Sequence, residues 1–380
     1  MTTEYIDNDA TLKNFCDELQ QHDTLFLDTE FIRETTYYPV LCLIQVATAE
    51  HSACIDPITI NDLSPLMDVL YNAKITKVVH AGRQDMEILF QLNGKLPSPL
   101  FDTQIAAAFL GYGEQIGYGE LINRELGVQL DKSHSRTDWK KRPLSTAQVE
   151  YALDDVRYLA KAYPRLVEKL QSLRRLQWVQ EESAGLEQSV LYTNPPDKMW
   201  LKVKRASSLR GKALAVLQKL AAWREQTAVD RDSPRRRILA DDVLLTLARQ
   251  QPSDMDSLTR IRGLHPSFLK HYANTIMEII QQSPDKPDTS DLKEKPTSAV
   301  DSALLDGASA LLRLCADRAG ISTGVLANRA DIEKLVRDKD AGIALMQGWR
   351  FQIAGQELQQ FLNGKVSLSV TDGKLVFSER

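Results

Sequence analysis

The sequence predicts an α/β domain, a mixed sheet flanked by helices, followed by two all-α domains. Three observations carry that expectation. Strand-like runs crowd the stretch between residues 24 and 102. The first three follow one another directly, as in a meander, and the later ones alternate with helices, an order that calls for mixed pairing. From about residue 145 the β signal vanishes and helical spacing takes over, broken by two polar, Pro-containing stretches.

The runs "TLFLDTEFI" (24–32), "LCLIQVAT" (41–48), "HSACIDP" (51–57) and "KVVHA" (77–81) are rich in Val, Ile, Leu and Phe and bounded by turn residues, which marks them as strands. "NDLSPLMDVLYN" and "RQDMEILFQLN" have helical spacing, and "LFDTQIAAAFLGYG" turns from strand into helix. The segment 145–186 reads as helix nearly throughout, and "YTNPPDKMW" (192–200) reads as a linker. A helical block fills 207–282. The stretch 281–299, rich in Pro, Ser, Asp and Lys, reads as a flexible linker before a second helical block over 300–363. "KVSLSVTDGKLVFS" predicts a closing hairpin with Asp372-Gly373 at its turn. "ILADDVLLTLAR" (238–249) and "VLANRADIEKLVR" (325–337) resemble each other with a one-residue shift; a duplicated module and chance similarity both account for that.

A chain of 380 residues suggests two or three domains. Its hydrophobic share of 43% and charged share of 26% are those of a globular protein. The net charge of −4 confines any basic surface to a local patch. Cys16, Cys42, Cys54 and Cys315 form no CxxC pair and are expected to be reduced thiols. The opening "MTTEYIDNDATLKNF" has no apolar signal core and no stretch is apolar enough to span a bilayer, so a cytoplasmic protein is expected. Nothing resembles a heptad seam, which favours a monomer.

The chemistry begins in the first strand. Alternation puts Phe26, Asp28 and Glu30 on one face, with the two carboxylates roughly 7 Å apart along the chain. Like charges on one sheet face repel and lose hydration, and a divalent cation offsets both costs. Asp85 falls in the first turn of a predicted helix, where an isolated Asp ordinarily just favours the helix dipole. In "VEYALDDVRYLAKAY", Val149, Ala152, Val156, Leu159 and Tyr163 form one apolar stripe. Asp155 sits at its edge, half-buried, whereas Asp154 is rotated away and solvated. Tyr151, one turn before Asp155, shares its helix face, either as core packing or to position a water. Four carboxylates and a Tyr suit two oxygen-preferring cations, Mg²⁺ or Mn²⁺. Two such ions about 4 Å apart are the usual device for in-line phosphodiester hydrolysis.

"FLDTEF…TYYPVLCLIQ", "HAGRQDMEIL" and "SRTDWKKRPLSTAQVEYALDDVRYL" together resemble the three motifs of the DEDDy 3′→5′ exonuclease superfamily, and in particular its ribonuclease D family, over roughly residues 1–195. The resemblance implies a ribonuclease H-like fold and hydrolytic release of nucleoside 5′-monophosphates from RNA with a free 3′-hydroxyl. It implies that Asp28, Glu30 and Asp155 bind one metal ion, that Asp28 reaches a second, and that Asp85 holds that second ion through water. Tyr151 would orient the nucleophilic water. Arg83-Gln84 depart from the pattern, since relatives often carry an acidic residue before Asp85. Glu34, Asp102 and Asp154 match no ligand position and read as solvated or structural, as do Gln45 and His80.

"LQKLAAWREQTAVDRDSPRRRILADDVLLTLARQQPSDMDSLTRIRGL" resembles the HRDC domain, a small helical nucleic-acid-binding module, and residues 300–365 look like a second, degenerate copy. The expected domains are therefore 1–195, 207–285 and 300–370. Lys204, Arg205 and Arg235, Arg236 and Arg237 belong to the most basic part of the chain, a candidate phosphate grip or a solvated surface. Phe31, Tyr37 and Tyr38 stack on terminal bases or simply pack. Arg136, Trp139, Lys140, Lys141 and Arg142 form a basic, aromatic stretch before the catalytic helix, either a grip on the phosphate backbone or a solvated face. The arrangement implies trimming of structured RNA such as tRNA precursors. A DNA exonuclease and a silent RNA-binding scaffold are the alternatives; the absence of a GxxxxGK[ST] loop excludes a helicase motor of that type.

Overall fold

The computed structural model describes residues 2–131, 137–290 and 301–379. Its strands are β1 (Thr2–Ile6), β2 (Thr24–Ile32), β3 (Val40–Ala47), β4 (His51–Ile55), β5 (Thr76–Val79) and β6 (Leu100–Asp102), and they form one sheet in the order β1-β4-β3-β2-β5-β6. β3 and β4 pair antiparallel, whereas β1 with β4, β2 with β5, and β5 with β6 pair parallel. The sheet is mixed, and β2, β3 and β4 form the expected meander. β1 has no counterpart in the sequence reading. Four of its five residues are polar or exposed and only Ile6 is buried, so this edge strand lacks the alternation that identifies strands.

Among the described residues seven helices accompany the sheet: α1 (Asp9–Leu19), α2 (Ser64–Leu70), α3 (Arg83–Asn93), α4 (Thr103–Phe109), α5 (Tyr118–Leu126), α6 (Thr146–Ser172) and α7 (Leu176–Ala184). Val156 and Leu159 of α6 share a core with Phe26, Val78 and Phe101, and the Tyr163 ring stands edge-on to Phe26 at 5.6 Å and Phe101 at 5.0 Å. The stripe read from spacing is thus the face that packs on the sheet. The ends of β5 and β6 are tied by Lys77. Its ammonium is buried and donates to the carbonyls of Asn72, Ile75 and Ser98 at 3.0, 2.6 and 2.6 Å.

Chain contacts divide the molecule into two compact units: Met1–Glu30, Leu41–Leu191 and Pro296–Arg380 form one; Phe31–Val40 and Tyr192–Lys295 form the other. The second unit is helical, with α8 (Gly211–Asp230), α9 (Arg235–Ile238), α10 (Asp241–Gln250), α11 (Met255–Thr259) and α12 (Pro266–Gln282). The expected linker at 192–200 is not one. Pro196–Lys202 forms 3₁₀ turns whose Met199 and Trp200 are buried, and Trp200 joins the helical core with Leu217 and Leu244. One large aromatic in a polar, Pro-rich stretch suffices to anchor it.

Residues 301–379 hold α13 (Ser302–Ala319), α14 (Thr323–Leu326), α15 (Arg329–Arg337), α16 (Gly348–Arg350), α17 (Gln356–Leu362) and a hairpin of β7 (Val366–Thr371) and β8 (Lys374–Glu379). Asp372 and Gly373 have φ of 50° and 73°, the positive pair that a two-residue hairpin turn needs. This segment is continuous with the sheet-bearing unit. Trp349 stacks on Trp178 at 5.2 Å and meets Phe109 edge-on at 4.8 Å, while Arg350 forms a two-pronged ion pair with Glu182. The sequence repeat has a structural counterpart. A long helix (α8, α13), a four-residue helix (α9, α14), two extended residues (Leu239 and Ala240, Ala327 and Asn328) and a further helix (α10, α15) recur in order.

Candidate active site

β2 places Asp28 and Glu30 half-buried on alternate positions, with buried Thr29 between them. The Thr29 hydroxyl donates to Asp85 Oδ1. Asp85 is itself buried, at 6% exposure, in the first turn of α3.

The turn that delivers Asp85 is built with care. Ala81 has φ of 55°, and a Cβ on Gly82 would lie 2.5 Å from Val79 Cγ2, so only glycine fits there. The Asp102 carboxylate accepts the backbone N–H groups of Ala81 and Gly82, both at 3.0 Å, and of Gln104 at 2.8 Å. Asp102 is therefore a buried clamp that caps α4 and fixes the start of α3. His80 serves the same region, with Nδ1 3.0 Å from Thr103 Oγ1 and Nε2 3.1 Å from the Ile116 carbonyl.

α6 starts on a Ser145/Gln148 capping box. Just before it, Arg142 grips Asp56 through Nε at 2.6 Å and Nη2 at 2.7 Å. That geometry withdraws Arg142 from the basic run expected to touch phosphate, and Trp139 is buried with its ring 6.2 Å from that of Tyr151. Tyr151, Asp154 and Asp155 line a cavity of about 480 Å³ with Tyr118 and Glu150. Asp154 is therefore not turned away from the site. It stands at the cavity wall 3.7 Å from Arg157 Nη1, which also holds Glu150. The helical-wheel reading separated Asp154 from Asp155 too sharply, because a concave wall admits neighbours on both sides of a stripe. Tyr118, which no sequence pattern singled out, donates its hydroxyl to the Asp154 carbonyl at 2.8 Å; the Gly-Tyr-Gly context was its only signal.

The electrostatics show that the carboxylates are near enough to oppose one another. Burial, then the charges of Asp85, Asp155 and Glu30, push the Asp28 carboxyl well above the usual carboxylate range. Burial, then Asp155 and Asp85, push Glu30 up to about 8. Burial lifts Asp85 to about 6 against the hydrogen bond from Thr29, and burial and Asp154 lift Asp155 to about 7. Burial and the Asp155 and Glu30 charges raise the Tyr151 phenol to about 12. Among the described residues no three His, Cys, Asp or Glu side chains form a ready metal cage. The fit to a cation rests instead on donor chemistry: hard oxygen ligands whose ionisation burial and neighbouring carboxylates oppose, a cost that Mg²⁺ or Mn²⁺ relieves.

The remaining candidates fall in the helical unit or outside the described residues. Tyr37 is buried against Ala228 and Ile238, and its hydroxyl donates to Glu225, so its ring packs and does not stack on a base. Tyr38 is exposed at 41%, edge-on to Tyr37 at 4.8 Å, and Phe31 is half-buried. Lys204, Arg205, Arg236 and Arg237 are exposed. Arg235 is half-buried with Nε 3.5 Å from Glu225. Arg136 lies outside the described residues. All four cysteines are free and buried, and among the described residues no helix is long and apolar enough to cross a membrane.

A mixed sheet with acidic residues on β2, α3 and α6 defines the 3′–5′ exonuclease class, and residues 3–171 match that family, while residues 213–280 match the HRDC domain. The chain is 41% identical to ribonuclease D of Bartonella henselae over 94% of this chain and 89% of the relative, and 37% identical to that of Sphingobium indicum over 97% of each. The crystal structure of Escherichia coli RNase D, described as an exoribonuclease involved in structured RNA processing, superposes with a TM-score of 0.84 at 32% identity, covering 96% of this chain and 99% of that one. The chain belongs to the ribonuclease D family, hydrolytic 3′–5′ exoribonucleases.

Proposed function

We propose that the protein trims the 3′ ends of structured RNA, tRNA precursors among them, and that Asp28, Glu30, Asp85, Asp155 and Tyr151 carry the reaction. The observation that supports this most is the set of carboxylates from β2, α3 and α6 raising one another beside the Tyr151 cavity. Asp28, Glu30, Asp85 and Asp155 would hold two divalent cations, Mg²⁺ or Mn²⁺, which when bound acidify water and neutralise charge on the phosphate. Thr29 and the Asp102 clamp keep Asp85 in place. The Tyr151 phenol keeps its proton at neutral pH and orients the attacking water. The cavity of about 480 Å³ has room for one terminal nucleotide. Attack at the last phosphodiester breaks its bond to the preceding 3′-oxygen and leaves a nucleoside 5′-monophosphate and a new 3′-hydroxyl.

The protein is expected to act as a monomer. Metal-dependent release of monophosphates from matched linear RNA, linear DNA, circular RNA and 3′-phosphorylated RNA tests the reading. Release from linear RNA with a free 3′-hydroxyl is expected, with the circle inert and the 3′-phosphate rejected. Cleavage of the circle would show an endonuclease, and equal rates on DNA would remove the RNA assignment.

A further inference from the structure

β3 carries a polar side chain where an apolar one would pack at less cost. Leu43, Gln45 and Ala47 alternate onto one face of the sheet, and all three are fully buried. Both polar atoms of the Gln45 side chain, Oε1 and Nε2, are sealed from solvent and have no hydrogen-bond partner among the described residues. A buried amide with neither its donor nor its acceptor used opposes folding. A purely structural role, the one expected from the sequence, leaves that cost unexplained.

Strand register sets the surroundings of Gln45. It stands directly opposite Cys54 of β4, and cross-strand partners share a face. The Cys54 thiol donates to the Val149 carbonyl of α6 at 3.8 Å, so this is the face that α6 covers. Ala47, two residues on, shares a core with Phe26 and Val156. Phe26, Asp28 and Glu30 alternate onto that same face of β2, the neighbour of β3 on its other side. Gln45 is therefore flanked by the strand that bears Asp28 and Glu30, on the side covered by the helix that bears Asp155. The charges agree with that placement. Burial raises the Cys54 thiol, Arg157 opposes the rise, and Glu150, Glu30 and Asp155 add to it. Glu30 supplies a matching need. Burial and the charges of Asp155 and Asp85 act on its carboxyl, and among the described residues no hydrogen bond counters them.

We propose that Gln45 is a positioning residue for Glu30: when the carboxylates hold cations, Gln45 Nε2 donates to a Glu30 oxygen and fixes that carboxylate for coordination. The inference rests on the two-cation reading of the active site and adds one residue to it. An ionised Glu30 is a strong acceptor, and Gln45 has an unused donor on the same sheet face. A ligating carboxylate held by such a hydrogen bond is oriented before the cation arrives. Asp28 needs the donor less, because the backbone N–H of Thr29 already favours its charged form.

The test uses the full chain and Mn²⁺ without RNA, read by isothermal titration calorimetry, with thermal unfolding in EDTA alongside. Gln45→Met roughly keeps the volume and removes both polar atoms; Gln45→Leu repeats the measurement should Met pack poorly. In EDTA the melting temperature should equal or exceed that of wild type, because no hydrogen bond is lost. Mn²⁺ affinity should nevertheless fall roughly tenfold or more, the scale of removing a group that orients a ligand. Glu30→Gln removes the charged acceptor, so adding Q45M to E30Q should weaken binding by less than about twofold, as residues that act through one contact do not add. A structural glutamine would give the reverse pattern, a lower melting temperature in EDTA with unchanged Mn²⁺ affinity per folded molecule, and that result would overturn the proposal. A full Q45M loss in the E30Q background would overturn it too, by assigning the amide to another group. Absence of Mn²⁺ binding by wild type would sink the two-cation reading and the inference with it. Normal wild-type binding with an unaffected Q45M would sink the inference alone.

Discussion

Asp28 and Glu30 keep carboxyl groups where burial and the charges of Asp85 and Asp155 oppose ionisation. The sign of the pH effect follows. A carboxyl whose folded pKa is raised above its unfolded value contributes stability that is full below the unfolded pKa and lost as pH rises through the folded one. For Glu30 that window runs from 4.5 to about 8, for Asp155 from 3.8 to about 7 and for Asp85 from 3.8 to about 6. The metal-free protein should therefore lose thermal stability between pH 5 and 8, and Mg²⁺ or Mn²⁺ should restore more at pH 8 than at pH 5. Calorimetry with and without EDTA checks this; a melting temperature flat across the range would refute it. Asp28→Asn, Glu30→Gln, Asp85→Asn and Asp155→Asn should each lower turnover at least about a hundredfold, since each loosens a charge clamp worth several kcal/mol. Asp154→Asn should stay within about tenfold, because its carboxylate is engaged by Arg157 at the rim. Tyr151→Phe removes only the hydroxyl and should cost roughly 10²–10⁴ in kcat with an unchanged melting temperature; unchanged kcat at saturating metal would leave Tyr151 a packing residue.

At the scale of elements, legibility depended on whether a local rule carried the signal. Strand alternation exposed the Asp28–Glu30 pair, and helical spacing placed Tyr151 beside Asp155. Asp85 was visible only through the family resemblance, because an acidic residue in a first helical turn is ordinary. Its supports were not legible at all. Thr29, Asp102 and Tyr118 act through partners 56, 20 and 36 residues away, and no periodicity links such positions. The β5–α3 turn shows what this support is worth. Asp102→Ala would strip buried N–H groups of Ala81 and Gly82 of a charged acceptor and uncap α4. The expected loss is about 3 kcal/mol of stability, from hydrogen bonds to a charged group and a lost cap. Urea unfolding measures it. The same variant should lose activity beyond what its folded fraction explains, because the strained start of α3 carries Asp85. Activity proportional to folded fraction would make Asp102 a stability residue alone.

On the scale of the whole molecule, the sequence pattern separated three blocks, yet the structure draws two compact units. The polar stretch before residue 300 marks a break in the chain without saying which core the following helices join. That depends on long-range contacts: Trp349 between Trp178 and Phe109, Arg350 on Glu182, and Arg175 donating to the carbonyls of Phe109 and Ala319. The consequence is testable. A chain ending near Glu187 keeps all five proposed catalytic residues but uncovers Phe109 and Trp178 and leaves Glu182 without Arg350. It should therefore be less stable and more prone to aggregate than the full chain. Trp349→Ala isolates the contact within the intact protein and should cost about 3–5 kcal/mol, the scale of emptying a buried aromatic site. Its effect should appear as a lower urea midpoint, with the metal-dependent rate per folded molecule on a short RNA preserved, because the partners of Trp349 are Trp178 and Glu182 on α7 and Phe109 on α4, none of them a proposed catalytic residue. An unfolding free energy within about 0.5 kcal/mol of wild type would show that residues 301–379 rest on the sheet-bearing unit without sharing its cooperative core.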